Sequence, residues 1–254
     1  MTNFPIPPAT LRAGLGPFED PEVFLQSGRE TMDLARRLIG LQPADRVLDI
    51  GCGCGRIAVH LAEFLAPDGS YAGFDIDAEC IEWCQSNIEG RDTRFHFTHL
   101  DVWSASYNPA GTLRPDRVTL PYPRASFDRV LISSVFTHMT EDGIHRYLAE
   151  VSRVVKPRGT VLVSALLMNE DAVAAIEHDT TLFTFVDSLG EYSWTLDVRQ
   201  PLDGVAVAET WLLDTAARHG LVADAVSYGT WRDVRGWEVQ HDWLGLRRLQ
   251  GTAA

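Results

Sequence analysis

The residues with the clearest chemical purpose stand in one run, Asp49-Ile50-Gly51-Cys52-Gly53-Cys54-Gly55-Arg56. An apolar stretch precedes this run and apolar residues at helical spacing follow it, so it lies where a strand becomes a helix. Glycines at such a turn let the backbone bend tightly and let a ligand approach without a Cβ in its way. Ligands of open α/β sheets bind at this end of the strands, so the run predicts a binding site.

The residue types around these glycines indicate the kind of ligand. Arg56 stands where a dinucleotide-binding turn needs a small residue, and no Lys-Ser or Lys-Thr pair completes a phosphate-binding loop. Asp49, two residues before the first glycine, can face an ammonium group but would repel a pyrophosphate. The turn therefore favours a cationic amino-acid ligand.

A second carboxylate, Asp75, ends the next apolar run, Tyr71-Ala72-Gly73-Phe74-Asp75-Ile76. An acid about 20 residues beyond a glycine turn hydrogen-bonds ribose hydroxyls in nucleotide-binding α/β folds. The alternative role, capping the next helix, suits Asp77 better. We therefore expect Asp75 to bind a ribose.

Strand and helix signals alternate through the first two-thirds of the chain, which predicts a doubly wound parallel sheet. The tail has another pattern, because a helix over residues 206–219 is followed by two strand-like runs, 221–228 and 237–249, that we expect to pair antiparallel. The earlier predicted strands cover residues 46–50, 71–76, 94–100, 127–133 and 160–166, and the predicted helices cover residues 20–40, 56–65 and the segments that follow Asp77 and Thr140.

We expect residues 1–254 to form a single domain. Residues 1–19 read as an irregular arm that could pair two protomers as a homodimer. Insertions at 103–125 and 169–205 interrupt the alternation, and long connections in compact domains are usually functional. We predict that they form a lid over an acceptor site. Candidates for its lining in the second insertion are His178, Tyr192 and Trp194.

The formal net charge is -13, and acidic surfaces repel phosphate backbones, so a nucleic-acid partner is not expected. The start of the chain lacks the pattern of a signal peptide, and no run of about 18 apolar residues occurs. We therefore expect no membrane partner and a cytoplasmic protein. The one cluster of basic residues is interpreted as solvated surface charge; it comprises Arg232, Arg235, Arg247 and Arg248.

The cysteines and histidines do not predict a metal site. Zinc sites usually take pairs of cysteines with two to four residues between the members of each pair. Cys52 and Cys54 have one residue between them, Cys80 and Cys84 have three, and the two pairs lie on separate elements, which is a poor match to a four-cysteine site.

Five stretches together resemble the motifs of class I S-adenosylmethionine-dependent methyltransferases. The departure from the family pattern is Arg158, where the family usually has glycine. The resemblance covers about residues 24–165 and implies a Rossmann-like, seven-stranded sheet that is mostly parallel with one antiparallel C-terminal strand. It also implies S-adenosyl-L-methionine as cofactor and S-adenosyl-L-homocysteine as product. The five stretches are residues 47–55, 71–76, 100–102, 120–134 and 153–159.

The resemblance implies roles for individual residues along the cofactor. The methionine part is held by Asp49 and by the turn, and Asp75 binds the ribose. Ser133 lies near the methyl group, and Arg29, on a helix that closes over the cofactor, meets its carboxylate. The remaining implied cofactor-binding residues are Gly51, Cys52 and Gly53 at the turn and Ile76, Asp101 and Val102 around the adenine.

Methyl transfer from a sulfonium releases a neutral leaving group, so alignment of the reactants supplies most of the catalysis. A base is needed only for a poor nucleophile such as a sugar hydroxyl. His138, which follows the fourth strand, is the candidate base; its alternative role is to cap or pack the next helix. The sequence thus predicts an enzyme that methylates a small molecule, with a natural product or a sugar hydroxyl favoured.

Two other functions are compatible with parts of this pattern. A non-catalytic protein could bind S-adenosylmethionine, because methyl transfer has no obligatory catalytic residue. A nicotinamide-dependent oxidoreductase shares the type of sheet, although Asp49, Arg56 and the antiparallel tail disfavour it.

Overall fold

The computed structural model describes residues 4–233 and 241–250. The strands in these residues are β1 (Arg46–Ile50), β2 (Ser70–Asp75), β3 (Phe95–His99), β4 (Phe127–Ile132), β5 (Val155–Ala165), β6 (Leu167–Met168), β7 (Asp187–Ser188), β8 (Ser193–Thr195), β9 (Val205–Ala208), β10 (Leu221–Ser227) and β11 (Asp242–Arg248). The α-helices are α1 (Ala9–Ala13), α2 (Pro21–Ile39), α3 (Ala58–Phe64), α4 (Ala78–Cys84), α5 (Glu141–Val154), α6 (Glu170–Glu177) and α7 (Glu209–Arg218).

The main sheet has seven strands in the order β10-β11-β5-β4-β1-β2-β3. Strand β1 runs parallel to both β2 and β4, whereas β11 runs antiparallel to both β5 and β10. This topology confirms the Rossmann-like sheet with an antiparallel C-terminal strand. From β1 the strand order runs through β2 and β3 on one side and through β4 and β5 on the other. The direction of the strand order therefore reverses between β1 and β4, and the ligand crevice is expected beyond the carboxyl ends of these two strands.

Local sequence accounts for the boundaries of the two longest helices. The side chain of Asp20 accepts a hydrogen bond from the Glu22 amide at 2.7 Å and caps α2, and Gly40 ends that helix in the left-handed region at φ 65°. The hydroxyl of Thr140 caps α5 by accepting from the Gly143 amide at 3.4 Å. Both helices are confirmed where the sequence predicts them.

The second predicted insertion is not a loop over the site. Strands β7 to β9 form a small sheet with β6, in the order β6-β9-β8-β7, and helix α6 lies in the same segment. This sheet has its own apolar core, which includes Met168, Phe185 and the fully buried Trp231. The segment from 169 to 205 is therefore a packed appendage of the main sheet.

Asp242, at the start of β11, fastens this appendage to the main sheet. Its fully buried carboxylate accepts hydrogen bonds from the Leu167 amide at 2.7 Å, the Trp231 indole at 2.9 Å and the Gly229 amide at 2.8 Å. It also pairs with Arg232 at 2.6 Å. One carboxylate thus satisfies donors from Leu167 and from the segment 229–232, which compensates for its burial.

The interpretation of the basic cluster as solvated charge is wrong for two of its members. The side chain of Arg232 is 12% exposed and pairs with Asp242. Arg248 is buried and donates to the Val155 carbonyl. Arg247 does pair with Asp224 at the surface. Arg235 and residues 237–240 of the predicted last strand lie outside the described residues.

The N-terminal arm has more structure than the sequence predicts. It contains α1, and the buried Arg12 donates to the carbonyls of Pro7 at 2.9 Å and Phe18 at 2.5 Å. The guanidinium of Arg12 also lies 5.9 Å from the centre of the Phe24 ring. These contacts fold the described part of the arm onto its own chain. Across the described chain, no helix is long and apolar enough to cross a membrane.

Candidate functional site

A cavity of about 590 Å³ lies beyond the carboxyl ends of β1, β2 and β4. Its volume falls in the range of about 300–1,000 Å³ that is usual for ligand sites. The sheet therefore brings together most residues that the sequence predicts for one site. The predicted residues that line it are Asp49, Gly51, Cys52, Gly53, Asp75, Ile76, Val102, Ser133 and His138.

The turn after β1 requires glycine at two positions. Gly51 and Gly53 have φ values of 74° and 50°, a region that side chains with a Cβ rarely adopt. A Cβ on Gly51 would lie 2.5 Å from Val135 Cγ2, and one on Gly53 would lie 2.6 Å from Leu15 Cδ1. The amide of Gly51 donates to the Phe74 carbonyl at 2.9 Å and holds the turn against β2.

Asp49 is a fully buried carboxylate at the floor of the cavity. Its Oδ2 accepts from the Tyr71 hydroxyl at 2.8 Å, whereas its Oδ1 has no hydrogen-bond partner in the described chain. Burial raises the pKa of this carboxyl to about 6. Because an unpaired buried acceptor is costly, Oδ1 is a site for a donor supplied by a ligand.

Arg56 lines the same cavity. Its guanidinium donates to three hydroxyl oxygens: Ser27 Oγ at 2.8 Å, Thr31 Oγ1 at 3.2 Å and Ser133 Oγ at 3.0 Å. In residues 4–233 and 241–250, no carboxylate forms an ion pair with it. The Phe18 ring covers it with a centre-to-carbon distance of 5.3 Å. The site therefore holds a cation that neutral groups position but do not neutralise.

Asp75 ends β2 with its carboxylate in the cavity wall. Its Oδ2 accepts from the Gly53 amide at 2.6 Å and its Oδ1 accepts from the Asp77 amide at 2.9 Å. Burial raises the pKa of Asp75. Each carboxylate oxygen has a second lone pair, so Asp75 can brace the glycine turn and still accept from a ligand hydroxyl.

Two predicted cofactor-binding residues do not line the cavity. The carboxylate of Asp101 accepts from Asn108 Nδ2 at 3.0 Å and from the Thr112 hydroxyl at 2.7 Å, so it holds the loop that follows β3. Arg29 is exposed on α2. Neither side chain lines the cavity, whereas Arg56 does, and the roles predicted for Arg29 and Asp101 in cofactor binding stay predictions.

His138 ends a short 3₁₀ helix after β4 and lines the cavity. Its Nδ1 lies 2.9 Å from the Leu202 carbonyl. Since a carbonyl only accepts, the hydrogen-bond network assigns the proton to Nδ1 and leaves a lone pair on Nε2. Nε2 lies 3.4 Å from the Tyr107 hydroxyl, and burial lowers the pKa of the imidazole. His138 is therefore a neutral acceptor in the cavity.

The first insertion, and not the second, covers the site. Several residues of the first insertion line the cavity, whereas Leu202 is the described member of the second that does so. Tyr192 stacks on Trp211 at 6.0 Å, and His178 bonds to a carbonyl of its own helix. The prediction that the second insertion supplies an acceptor-site lid stays a prediction, which in the cavity rests on Leu202 alone among the described residues. The cavity-lining residues of the first insertion are Trp103, Ser104, Tyr107, Gly111, Arg114, Pro115 and Asp116.

The four cysteines surround the glycine turn as free, buried thiols. The thiol of Cys52 lies 3.6 Å from the Gly53 carbonyl and that of Cys84 lies 3.7 Å from it. Burial raises the pKa of both thiols, which keeps them protonated. Within the described chain, no group of three or more His, Cys, Asp or Glu side chains is placed to hold a metal ion.

A profile of the methyltransferase domain matches residues 47–159. The match begins in β1, includes the glycine turn and Asp75, and ends in β5. Over these residues the chain is similar to the class I S-adenosylmethionine-dependent methyltransferases.

Curated relatives match about three-fifths of the chain. An O-methyltransferase of Aspergillus nomiae is 26% identical over 159 residues, which cover 61% of this chain and 63% of the relative. A 2-phytyl-1,4-naphtoquinone methyltransferase of Synechocystis is 26% identical over 160 residues, which cover 62% and 61%. The chain thus spans about three-fifths of the length of these relatives.

Solved structures support the fold beyond the matched region. A Pyrococcus horikoshii protein of known crystal structure aligns with a TM-score of 0.59 at 16% identity, covering 89% of this chain and 91% of that chain. This likeness concerns the fold alone.

S-adenosylmethionine is the cofactor of this family, and the groups in the cavity fit it. The orphan oxygen of Asp49 suits an ammonium group and the unpaired guanidinium of Arg56 suits a carboxylate. Asp75 can accept from ribose hydroxyls, and Ile76 and Val102 offer apolar surface to an adenine.

Proposed function

We propose that this protein transfers a methyl group from S-adenosylmethionine to a hydroxyl of a small-molecule acceptor of the natural-product or sugar type. One observation carries the proposal. The buried carboxylate of Asp49 and the cation of Arg56 line one cavity and attract each other through space, but neither forms a direct ion pair in the described chain. A ligand that ends in an α-amino acid supplies the missing ammonium and carboxylate.

Energetics favour this ligand over a dinucleotide. Charges withdrawn from water without partners cost several kcal/mol, so a zwitterion that pairs both gains that energy on binding. A pyrophosphate would satisfy Arg56 but would bring further negative charge to Asp49. A nicotinamide-dependent oxidation is therefore a poorer use of this cavity than methyl transfer.

The chain's own residues then have separate tasks. When bound, S-adenosylmethionine supplies an electrophilic methyl carbon on a sulfonium. Asp49, Arg56 and Asp75 hold the two ends of the cofactor, while Leu15 and Phe18 of the arm cover the turn. The Nε2 atom of His138 accepts the proton of the acceptor hydroxyl.

The relatives support a small-molecule acceptor, since one of them is a 2-phytyl-1,4-naphtoquinone methyltransferase. The absence of a nucleic-acid partner and of a membrane partner, the cytoplasmic location and a homodimer stay predictions. The described arm residues contact their own chain.

Turnover with a panel of hydroxylated natural products and sugars tests the proposal. We expect S-adenosylhomocysteine to form only when a suitable acceptor from the panel is present. The His138→Gln variant should have a lower kcat but the same affinity for S-adenosylhomocysteine as the wild type. The non-catalytic alternative predicts tight cofactor binding without turnover across the panel.

A further inference from the structure

The hydroxyl of Tyr107 contacts Nε2 of His138, the ring nitrogen that carries no proton. The Leu202 carbonyl fixes the proton on Nδ1, so Nε2 must act as the acceptor toward Tyr107 at 3.4 Å. The two rings meet edge to face with 5.0 Å between their centres. A phenol of the protein itself thus already occupies the position from which a substrate hydroxyl would reach the base.

The cavity that contains His138 offers surface to a flat apolar ring. Its lining includes Trp103, Met139, and Tyr107 and Leu202, which both contact His138. The guanidinium of Arg114, which also lines the cavity, forms a two-pronged pair with Asp116 at 2.9 and 3.1 Å and is therefore already satisfied. Sugars, in contrast, require several free polar partners for their many hydroxyls.

We propose that the acceptor is an aromatic hydroxyl compound, a phenol, whose O–H displaces the Tyr107 hydroxyl from Nε2 of His138. This inference rests on the proposed function and narrows its acceptor. The displaced hydrogen bond is long, so exchanging it for a shorter one to the acceptor is favourable.

The strength of the base agrees with an acidic hydroxyl. Burial holds the pKa of His138 below its ordinary value, and a weak base takes a proton more readily from a phenol than from a sugar alcohol. The charged and titratable groups facing His138 are Tyr107, Asp203 on the loop before β9, and His241 beside β11, which in turn feels Arg56. Of these, Asp203 favours the protonated imidazole and His241 disfavours it.

The step balances without another reactant. The phenol oxygen forms a bond to the methyl carbon while the C–S bond breaks, and the sulfur keeps that electron pair. The phenol proton passes to Nε2, and the resulting imidazolium later releases it to water. One positive charge moves from the sulfonium to His138, so the net charge of the cavity does not change.

Binding of a matched set of ring compounds tests the inference directly. Phenol, cyclohexanol and methyl β-glucoside are titrated into the protein with and without S-adenosylhomocysteine, and the ¹⁵N resonances of the His138 ring are followed. Their assignment comes from their loss in His138→Gln. Phenol and cyclohexanol have the same ring size, so a difference between them reports acidity and aromatic character.

We expect phenol to shift the His138 resonances and to bind at least tenfold more tightly than the other two probes. In His138→Gln the affinity for phenol, followed by its own proton signals, should fall about tenfold, the worth of one good hydrogen bond. Tyr107→Phe should bind phenol more tightly, because it keeps the ring but removes the competing hydroxyl. An unchanged affinity for S-adenosylhomocysteine in both variants shows an intact cavity.

Equal binding of cyclohexanol or the glucoside overturns the inference, as does phenol binding that ignores His138→Gln or an absence of phenol binding. Failure of the proposed function is a separate result, since it appears as absent binding of S-adenosylhomocysteine by calorimetry. In that case the inference falls with the proposed function, whereas absent phenol binding beside intact binding of S-adenosylhomocysteine overturns the inference alone.

Discussion

The guanidinium of Arg56 donates to Ser133 Oγ at 3.0 Å and so connects the turn after β1 with the end of β4, 77 residues further along the chain. Its other bonds reach Ser27 and Thr31 on α2. Three elements that are remote in sequence therefore position one cation in the cavity. The guanidinium of Arg56 is thus available to pair with the carboxylate of a ligand, whereas the exposed Arg29 does not line the cavity.

Replacing Arg56 by methionine should weaken binding of S-adenosylhomocysteine at least tenfold, because one charge-assisted hydrogen bond contributes about 1.5–3 kcal/mol. Binding of 5′-methylthioadenosine, which lacks the amino-acid end, should change less than about threefold on the same reasoning. Isothermal titration of both compounds measures this difference. Arg29→Met is the matched control and should leave both affinities unchanged. The assignment fails if the control loses binding and Arg56→Met keeps it.

Asp49→Asn should stabilise the ligand-free fold at neutral pH. The pKa of Asp49 in the folded state, about 6, lies above its ordinary value of 3.8, so the folded protein loses stability as the pH rises from about 4 through 6. The difference of about two pKa units corresponds to a loss of about 3 kcal/mol in the free energy of unfolding of the wild type. The Asp49→Asn variant would not show this loss, because asparagine does not ionise. Urea unfolding of both proteins between pH 4 and pH 8 measures it. A variant that is less stable than the wild type at pH 7.5 would contradict the prediction.

Asp75 and Asp101 should respond differently to the same substitution. Asp75→Asn should weaken both S-adenosylhomocysteine and 5′-methylthioadenosine by about tenfold or more, because it removes a ribose acceptor and one bond to the Gly53 amide. Asp101→Asn should alter either affinity less than about threefold, since Asp101 holds Asn108 and Thr112 outside the cavity. Calorimetric titration compares the two variants. Equal losses would return Asp101 to the ligand site.

Asp242→Asn should lower the free energy of unfolding by about 3–5 kcal/mol, because it leaves the partly buried Arg232 without its carboxylate. Asp224→Asn, in the middle of β10, serves as the control. Its partner Arg247 is exposed, so the expected loss is at most about 1 kcal/mol. Urea unfolding followed by tryptophan fluorescence measures both. Similar losses would mean that Asp242 does not fasten the small sheet.

The predictable part of this protein is the part governed by local rules. Alternating apolar runs and caps such as Asp20 and Gly40 predict the main sheet and its helices, because period and capping act over a few residues. The position of Asp75 at a strand end likewise predicts its place in the cavity. Each of these inferences depends only on the direction of the chain and the order of its strands. None of them depends on a side-chain contact between distant residues.

The sequence does not predict the features that depend on side-chain contacts between separate segments. Arg29 and Arg56 are both arginines near the turn, and hydroxyls on three elements select which one enters the cavity. Asp101 is withdrawn from the cavity by partners that lie seven and eleven residues further along the chain. The small sheet depends on Asp242, whose partners lie up to 75 residues away. Spacing alone contains none of these choices.

The most direct test of the account is calorimetric titration of S-adenosylmethionine, S-adenosylhomocysteine and NAD into the wild-type protein at pH 7.5, beside Asp75→Ala. The account predicts that both adenosyl compounds bind at a single site with micromolar dissociation constants, that NAD does not bind, and that Asp75→Ala weakens both. Binding of NAD, or no binding of either adenosyl compound, would contradict it.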